Sequence, residues 1–293
     1  MVTSGPPGSS GPLVIAVVLV AAVLHAGWNA IAKGVSDRVG LFAGMGVVDV
    51  CVAAVLLWWV AAPVAAAWPW LVASVVLHGA YNAGLLIAYR VGDFNLTYPL
   101  ARGVGPLVVA VVAAAFIGEP LAPLPAIGVV LIAGAIGVLG LTPWRRIRAN
   151  RSALVAAVLT GLAIAGYTLL DGIGVRRSGS AAGYALWLMA LQGGSTLVVI
   201  LLLRRRRPAE ERSAIRWRIA ALAGVMSMLA YGLVLWAQTR GALAAVAALR
   251  ESSVVVAAVL GVLLFGEPMG RVRVAAAVAV AAGVVLLAVP VTI

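Results

Sequence analysis

The 293-residue chain is short of the residues that most chemistry needs: one cysteine, two histidines, nine acidic residues, and charge at only 10% of positions. A lone thiol, Cys51, excludes an internal disulfide framework and a cysteine-based metal cluster, and reads as a small apolar packing residue. There is no GxxxxGK followed by Ser or Thr, no His/Cys metal spacing, no GxSxG and no His–Asp dyad close in sequence. The sequence therefore predicts no metal, no cofactor and no enzyme, leaving an intramembrane hydrolase built on His25 or His78 as the one enzymatic use conceivable. What the chain has instead is apolar surface. It is 64% hydrophobic with a mean hydropathy of +1.12, more than a single water-soluble core of this length can bury.

Apolar runs of about 20 residues match the helical length that crosses a hydrocarbon core of roughly 30 Å. In lipid each backbone amide must be paired internally, and these runs lack the alternation of barrel strands, so they read as helices. Ten spans are predicted, near 13–33, 40–62, 69–90, 96–117, 124–142, 152–174, 181–203, 217–239, 242–265 and 271–291. Residues 1–12 read as a disordered tail; without a basic n-region, the first run reads as a retained span, not a cleaved signal.

The net charge of +12 does not point to nucleic acid, because the arginines cluster in RRIRANR (145–151) and RRRRPAEERSAIRWR (204–218), both between spans. Sixteen of the 21 basic residues fall in one alternate set of loops and three, Arg176, Arg177 and Arg240, in the other. The chain is thus expected in a cell membrane, plasma or inner, as a multi-pass protein with both termini non-cytoplasmic, the bilayer and a small-molecule substrate being its partners. Oligomeric state, including monomer, is left open.

An internal repeat organises the spans. FIGEP (116–120) and LFGEP (264–268) align at an offset of 148 residues, which sets Arg102 on Arg250, each 17 residues before its glutamate. AYNAGLLIAYRVG (80–92) resembles AYGLVLWAQTRG (230–241), and AGWNAIAKGV (26–35) aligns with AGYTLLDGIGV (165–175). The halves, about 13–142 and 152–291, are joined by a basic connector at 143–151. Five spans per half is an odd number, so the second enters the membrane inverted, as in many secondary transporters with a midplane site between halves. The fold class expected is all-α and polytopic, with ten transmembrane helices as two inverted five-helix repeats around a central cavity.

These motifs carry a family resemblance. Two five-span halves, each ending its fourth span in Gly-Glu, resemble the EamA-type ten-helix members of the drug/metabolite transporter superfamily, as do Trp28-Asn29 and the proline at Pro106, 13 residues before Glu119. The second half departs from it, with Val254 at the proline position. The resemblance implies a cavity lined by spans 1, 3, 4, 6, 8 and 9. It also implies cytoplasmic termini, against the charge count.

The two histidines sit in matched contexts, LHAGWN (24–29) and LHGAYN (77–82), with an aromatic at i+3 and Asn at i+4 on the same helix face. His25, Trp28 and Asn29 on span 1, and His78, Tyr81 and Asn82 on span 3, can stack on or bond a small solute; the alternative is interhelical bonding. Tyr167 and Tyr231 keep the aromatics in the second half. Arg102 and Arg250 are candidate cations for a carboxylate or phosphate. The alternatives are snorkelling for Arg102 and an ion pair for Arg250, with Glu251 or a carboxylate on another helix. Glu251, Asp171 and Asp49 are candidate proton-coupling acids, Asp49 lying on a span outside the implied lining. Glu119 and Glu267 read as helix stops, and Trp58, Trp59, Trp68 and Trp70 as interfacial anchors.

Together these predict a secondary transporter, exporter or exchanger, of an amino-acid-like or other amphipathic carboxylate solute by alternating access. The rival from another class is a non-transporting scaffold or lipid-handling protein, in which the polar residues are packed shut.

Overall fold

Long runs without solvated side chains leave the backbone to satisfy its own hydrogen bonds, and every described element is helical. The computed structural model describes residues 11–91, 94–141, 151–205, 215–267 and 270–289; the side chains of 82–100, 140–153 and 203–205 lie outside that description. In chain order the helices are α1 (Pro12–Gly34), α2 (Arg38–Leu56), α3 (Trp68–Val91), α4 (Phe94–Val112), α5 (Pro123–Leu141), α6 (Arg151–Arg177), α7 (Ala181–Arg205) and α8 (Trp217–Gln238). Then α9 comes in two pieces, Leu243–Arg250 and Ser253–Phe265, and α10 is Arg271–Ala288. Seven described helices are long and apolar enough to cross a membrane by length and composition, and the apolar stretches 101–117 and 123–139 are shorter. The N-terminal tail and most of the basic connector lie outside the described residues.

Local chemistry sets the ends. Pro12 opens α1 and Pro123 opens α5, where a missing N–H costs nothing. Asp37 caps α2 by accepting from the Gly40 amide at 2.9 Å. Two elements differ from the sequence reading. The helix α2 stops at Leu56, six residues early, and Trp58 and Trp59 stand 85% and 76% exposed beyond it. The ninth span is interrupted at Glu251 and Ser252, where Glu251 N→Ala248 O and Ser252 N→Leu249 O bonds tighten one turn. The Ser252 hydroxyl donates to Leu249 O at 2.7 Å and competes with the regular helix there.

The packing has a symmetry that is visible in which helices touch. α1 lies on α8 and α3 on α6; α4 lies on α6 and α1 on α9; α2 meets α7, and α5 meets α10. Advancing every helix by five exchanges the first two contacts, exchanges the next two, and maps each of the last two onto itself. That is the contact pattern of two five-helix units exchanged by a pseudo-twofold axis, as inverted repeats require. The two Gly-Glu turns agree in detail: Gly118 and Gly266 are left-handed, with φ of 75° and 64°. The amides of Glu119 and Glu267 each reach back six residues, to Ala113 O at 3.0 Å and Gly261 O at 3.2 Å.

Outward faces are apolar throughout, with Val76, Val111, Val155 and Val278 more than half exposed, as helices in hydrocarbon require. Cys51 belongs to this surface: it is exposed on α2, which corrects its reading as a packing residue. Of the self-mapped contacts, α5–α10 is the closer, because a Cβ on Gly128 would lie 2.8 Å from Gly283 O, and one on Gly283 2.9 Å from Gly128 O. Backbone cannot yield as a side chain can. We predict that Gly128→Leu and Gly283→Leu each cost about 1–3 kcal/mol by overpacking and lower the melting temperature in detergent. Gly134→Ala, which would meet nothing within 4 Å, should melt as wild type does.

Candidate functional site

An arginine inside a span must find water, an anion or a ligand, and Arg102 of α4 has found protein. Its side chain is 5% exposed, so it does not snorkel to the interface. Its Nε donates to Glu251 Oε2 at 2.5 Å, its Nη2 donates to Ser253 Oγ at 2.9 Å, and its Nη1 lies 3.2 Å from His25 Nε2. A guanidinium only donates, so that imidazole nitrogen accepts. The cluster joins α1, α4 and the tightened turn of α9, and therefore crosses between the two halves of the chain.

The same turn carries an incomplete pairing. The second carboxylate oxygen, Glu251 Oε1, is buried without a hydrogen bond, and so is Arg250 Nε. They face each other at 3.7 Å, an ion-pair distance beyond hydrogen-bond reach. Arg250 also lies over the Tyr167 ring, 5.9 Å from its centre. The two pseudo-equivalent arginines are thus in different situations: Arg102 is fully engaged, and Arg250 has a donor to spare.

Around Arg250 is an aromatic group from α3, α6 and α8. His78 is held through Nδ1, 3.0 Å from Ser74 O and 3.2 Å from Ser74 Oγ. Its ring stacks on Tyr167 at 3.9 Å and meets Tyr231 edge-on at 5.7 Å, and Tyr81 meets Tyr167 edge-on at 5.8 Å. Asp171, fully buried, accepts from the Tyr184 hydroxyl at 3.1 Å and from the Tyr231 hydroxyl. It is thus bonded to hydroxyls of α7 and α8. The Asn82 side chain lies outside the described residues.

On α1, His25 and Trp28 meet edge-on at 5.2 Å. Trp28 Nε1 is buried without a partner. Asn29 turns back on its own helix, donating to His25 O at 2.7 Å. Asp49 is on the α2–α7 pair, where its Cβ would lie 2.7 Å from a Cβ on Gly193, and its Oδ1 is buried without a hydrogen bond. The polar residues at the centre pack against one another in this conformation. A cavity of about 520 Å³ lies at the α1–α2 turn, bounded by Lys33, Ser36, Asp37 and Arg38. Among the described residues no group of His, Cys, Asp or Glu is arranged to hold a metal.

Sequence reasoning placed the in-span arginines but missed their surroundings. Ser74, Ser253 and Tyr184 were not among the residues the sequence singled out. Glu119 and Glu267, read as helix stops, are also ion-pair partners. Glu119 pairs with Arg176 at the end of α6 and caps α9 by accepting from Leu243 N at 3.0 Å. Glu267 pairs with Lys33 at the end of α1 and with Arg273 at 3.3 Å. The Lys33 ammonium hydrogen-bonded to Glu267 holds that carboxyl below its ordinary value, with Arg273 adding to the effect. The available signal was the repeat itself, which put matched acids at matched span ends.

Residues 151–289 match the model of the EamA-like transporter family. No curated protein matches the sequence. A solved crystal structure superposes with a TM-score of 0.72 at 15% identity, covering 94% of each chain, a likeness that speaks for the fold.

Two predictions follow from these ion pairs. Glu251→Gln leaves Arg102 buried without its counter-charge and should cost about 3–5 kcal/mol, whereas Arg102→Met with Glu251→Leu should recover most of it, measured by thermal unfolding. For Glu267 the depressed value means that its pairing stabilises in full above the ordinary glutamate range. That contribution declines as pH falls towards the folded value and is gone below it. The melting difference between wild type and Glu267→Gln should narrow at the acid end of a pH series.

Proposed function

We propose that the chain, whose residues 151–289 match the EamA-like transporter family, is a secondary transporter moving a small amphipathic carboxylate, amino-acid-like in character, by alternating access. The observation that carries the substrate class is the spare donor on Arg250. A buried guanidinium N–H without an acceptor costs about 1–3 kcal/mol or more. A carboxylate entering beside it would remove that cost and gain a charge-assisted bond. Tyr167, over which Arg250 lies, and the His78, Tyr231 and Tyr81 rings packed against one another beside it are the apolar surface nearest that donor, suited to the apolar part of such a solute. Arg102 is assigned to holding Glu251 in place and not to binding the substrate directly.

Under this reading the halves near 13–142 and 152–291 rock about the central cluster. Glu251 is the proton-coupling residue of choice, because protonating it releases the Arg102 Nε and changes the bond that joins the halves. Asp171 is second, being the carboxylate beside the tyrosines, and Asp49 is third, being outside the cluster. The direction is export or exchange, and the termini face away from the cytoplasm. A second reading, a scaffold on the same fold, draws support from His25, His78 and Asn29, each already bonded within the protein.

A thermal-shift series separates the two. With a panel of small carboxylates and amino acids, transport predicts a rise in melting temperature for at least one compound, about 2.7 kcal/mol at one hundred times its dissociation constant. Arg250→Ala should lose the rise while folding normally, and the reconstituted protein should show saturable flux of that compound. A panel without any shift, together with no flux in vesicles, would favour the scaffold.

A further inference from the structure

The two conserved-in-form turns at the ends of α4 and α9 do more than stop helices. We infer that Glu119–Arg176 and Glu267–Lys33 are matched latches on opposite faces of the membrane, both closed in this conformation but unequal in strength, and that their alternate release sets which face the site opens to. The inference rests on the alternating-access reading and adds the residues that would gate it.

The geometry supports a matched pair. Both acids follow a left-handed glycine and both amides reach back six residues, so the carboxylates leave their helices from equivalent turns. Each acid belongs to one half and its cation to the other: Glu119 follows α4 and meets Arg176 ending α6, while Glu267 follows α9 and meets Lys33 ending α1. Helix ends alternate between faces along the chain, so α4 and α6 end together on one face and α1 and α9 on the other. The contacts agree, since the Val64 amide before α3 donates to Ser178 O after α6, and a Cβ on Gly34 would touch Phe265.

The two are unequally fastened. Arg176 donates Nε to Gln238 O at 2.6 Å and Nη2 to Gly241 O at 2.8 Å, besides its bond to Glu119. Glu119 in turn holds the first amide of α9. That latch ties four helices together: α4, α6, α8 and α9. At the other face Glu267 takes Arg273 and Lys33, which also lies over the Phe265 ring, and the Lys33 side chain is 46% exposed, against 27% for Arg176. An arginine fork on two carbonyls and a carboxylate is a rigid clamp, whereas an ammonium on a flexible stem is a weak one.

The test uses the full chain with Cys51→Ala and a reporter thiol from Asn29→Cys, labelled by a membrane-impermeant charged maleimide applied to one face at a time. Glu119→Gln should raise the labelling rate from the Arg176 face and lower it from the Lys33 face by roughly two- to fivefold, the worth of one partly exposed ion pair. Glu267→Gln should shift it the other way. Should a substitution unfold the protein, Arg176→Gln and Lys33→Gln break the same two pairs from the other side and should shift labelling in the same directions as Glu119→Gln and Glu267→Gln. A reporter that labels in wild type but responds identically to substitutions in either pair overturns the latches and leaves transport standing. A reporter inert from both faces in every variant overturns the transport reading along with them.

Discussion

A guanidinium cannot be discharged to escape an apolar interior, and the centre of this molecule is arranged around that fact. Arg102 is bonded by a carboxylate and a hydroxyl from α9 and lies against an imidazole from α1, and all three come from outside its own helix. The bond to Glu251 therefore does two things at once. It neutralises a charge that would otherwise oppose burial, and it makes α4 of the first half and α9 of the second depend on each other. Removing either partner exposes the cost that the other was offsetting.

The repeat is kept at the rims and broken at the centre. Gly118 and Gly266 turn alike, and Glu119 and Glu267 both find a cation from the other half. Around the arginines the halves diverge: Gly103-Val104-Gly105 continue α4 without interruption, whereas Glu251-Ser252-Ser253 at the same offset carry the acid and tighten the helix. One acid thus lies between two cations. Arg102 takes it, and Arg250 is left with an unpaired donor beside the aromatic rings. A symmetric centre would have needed two acids or none.

Much of this was legible before any fold was seen. Runs of apolar residues near the hydrocarbon thickness mark spans because backbone pairing leaves no alternative, and the 148-residue offset exposed the repeat through residues that composition does not favour. The partner of Arg102 was not legible, because Glu251 is 149 positions away and adjacent to the other arginine, which by sequence looked like the natural mate. The interruption of α9 was not legible either, because two serines in an apolar run do not mark a break by themselves; the Ser252 hydroxyl competes for a helix carbonyl only in the folded chain. Asn29 and His78 were recognised as face-sharing polar residues, but periodicity gives a face and not a direction of bonding.

The meeting of α5 and α10 at Gly128 and Gly283 lies five residues from one end of each helix, on the side of Glu119. At 1.5 Å per residue the short arm beyond that fulcrum is about 8 Å, and the long arm of α5 about 20 Å. A scissoring of the pair by a few degrees hardly displaces the near ends, yet it swings the far ends, Arg271 among them, through more than twice the distance. The outline of the protein in the bilayer would then taper, and the tension and curvature of the surrounding lipid leaflets would enter the balance between its shapes.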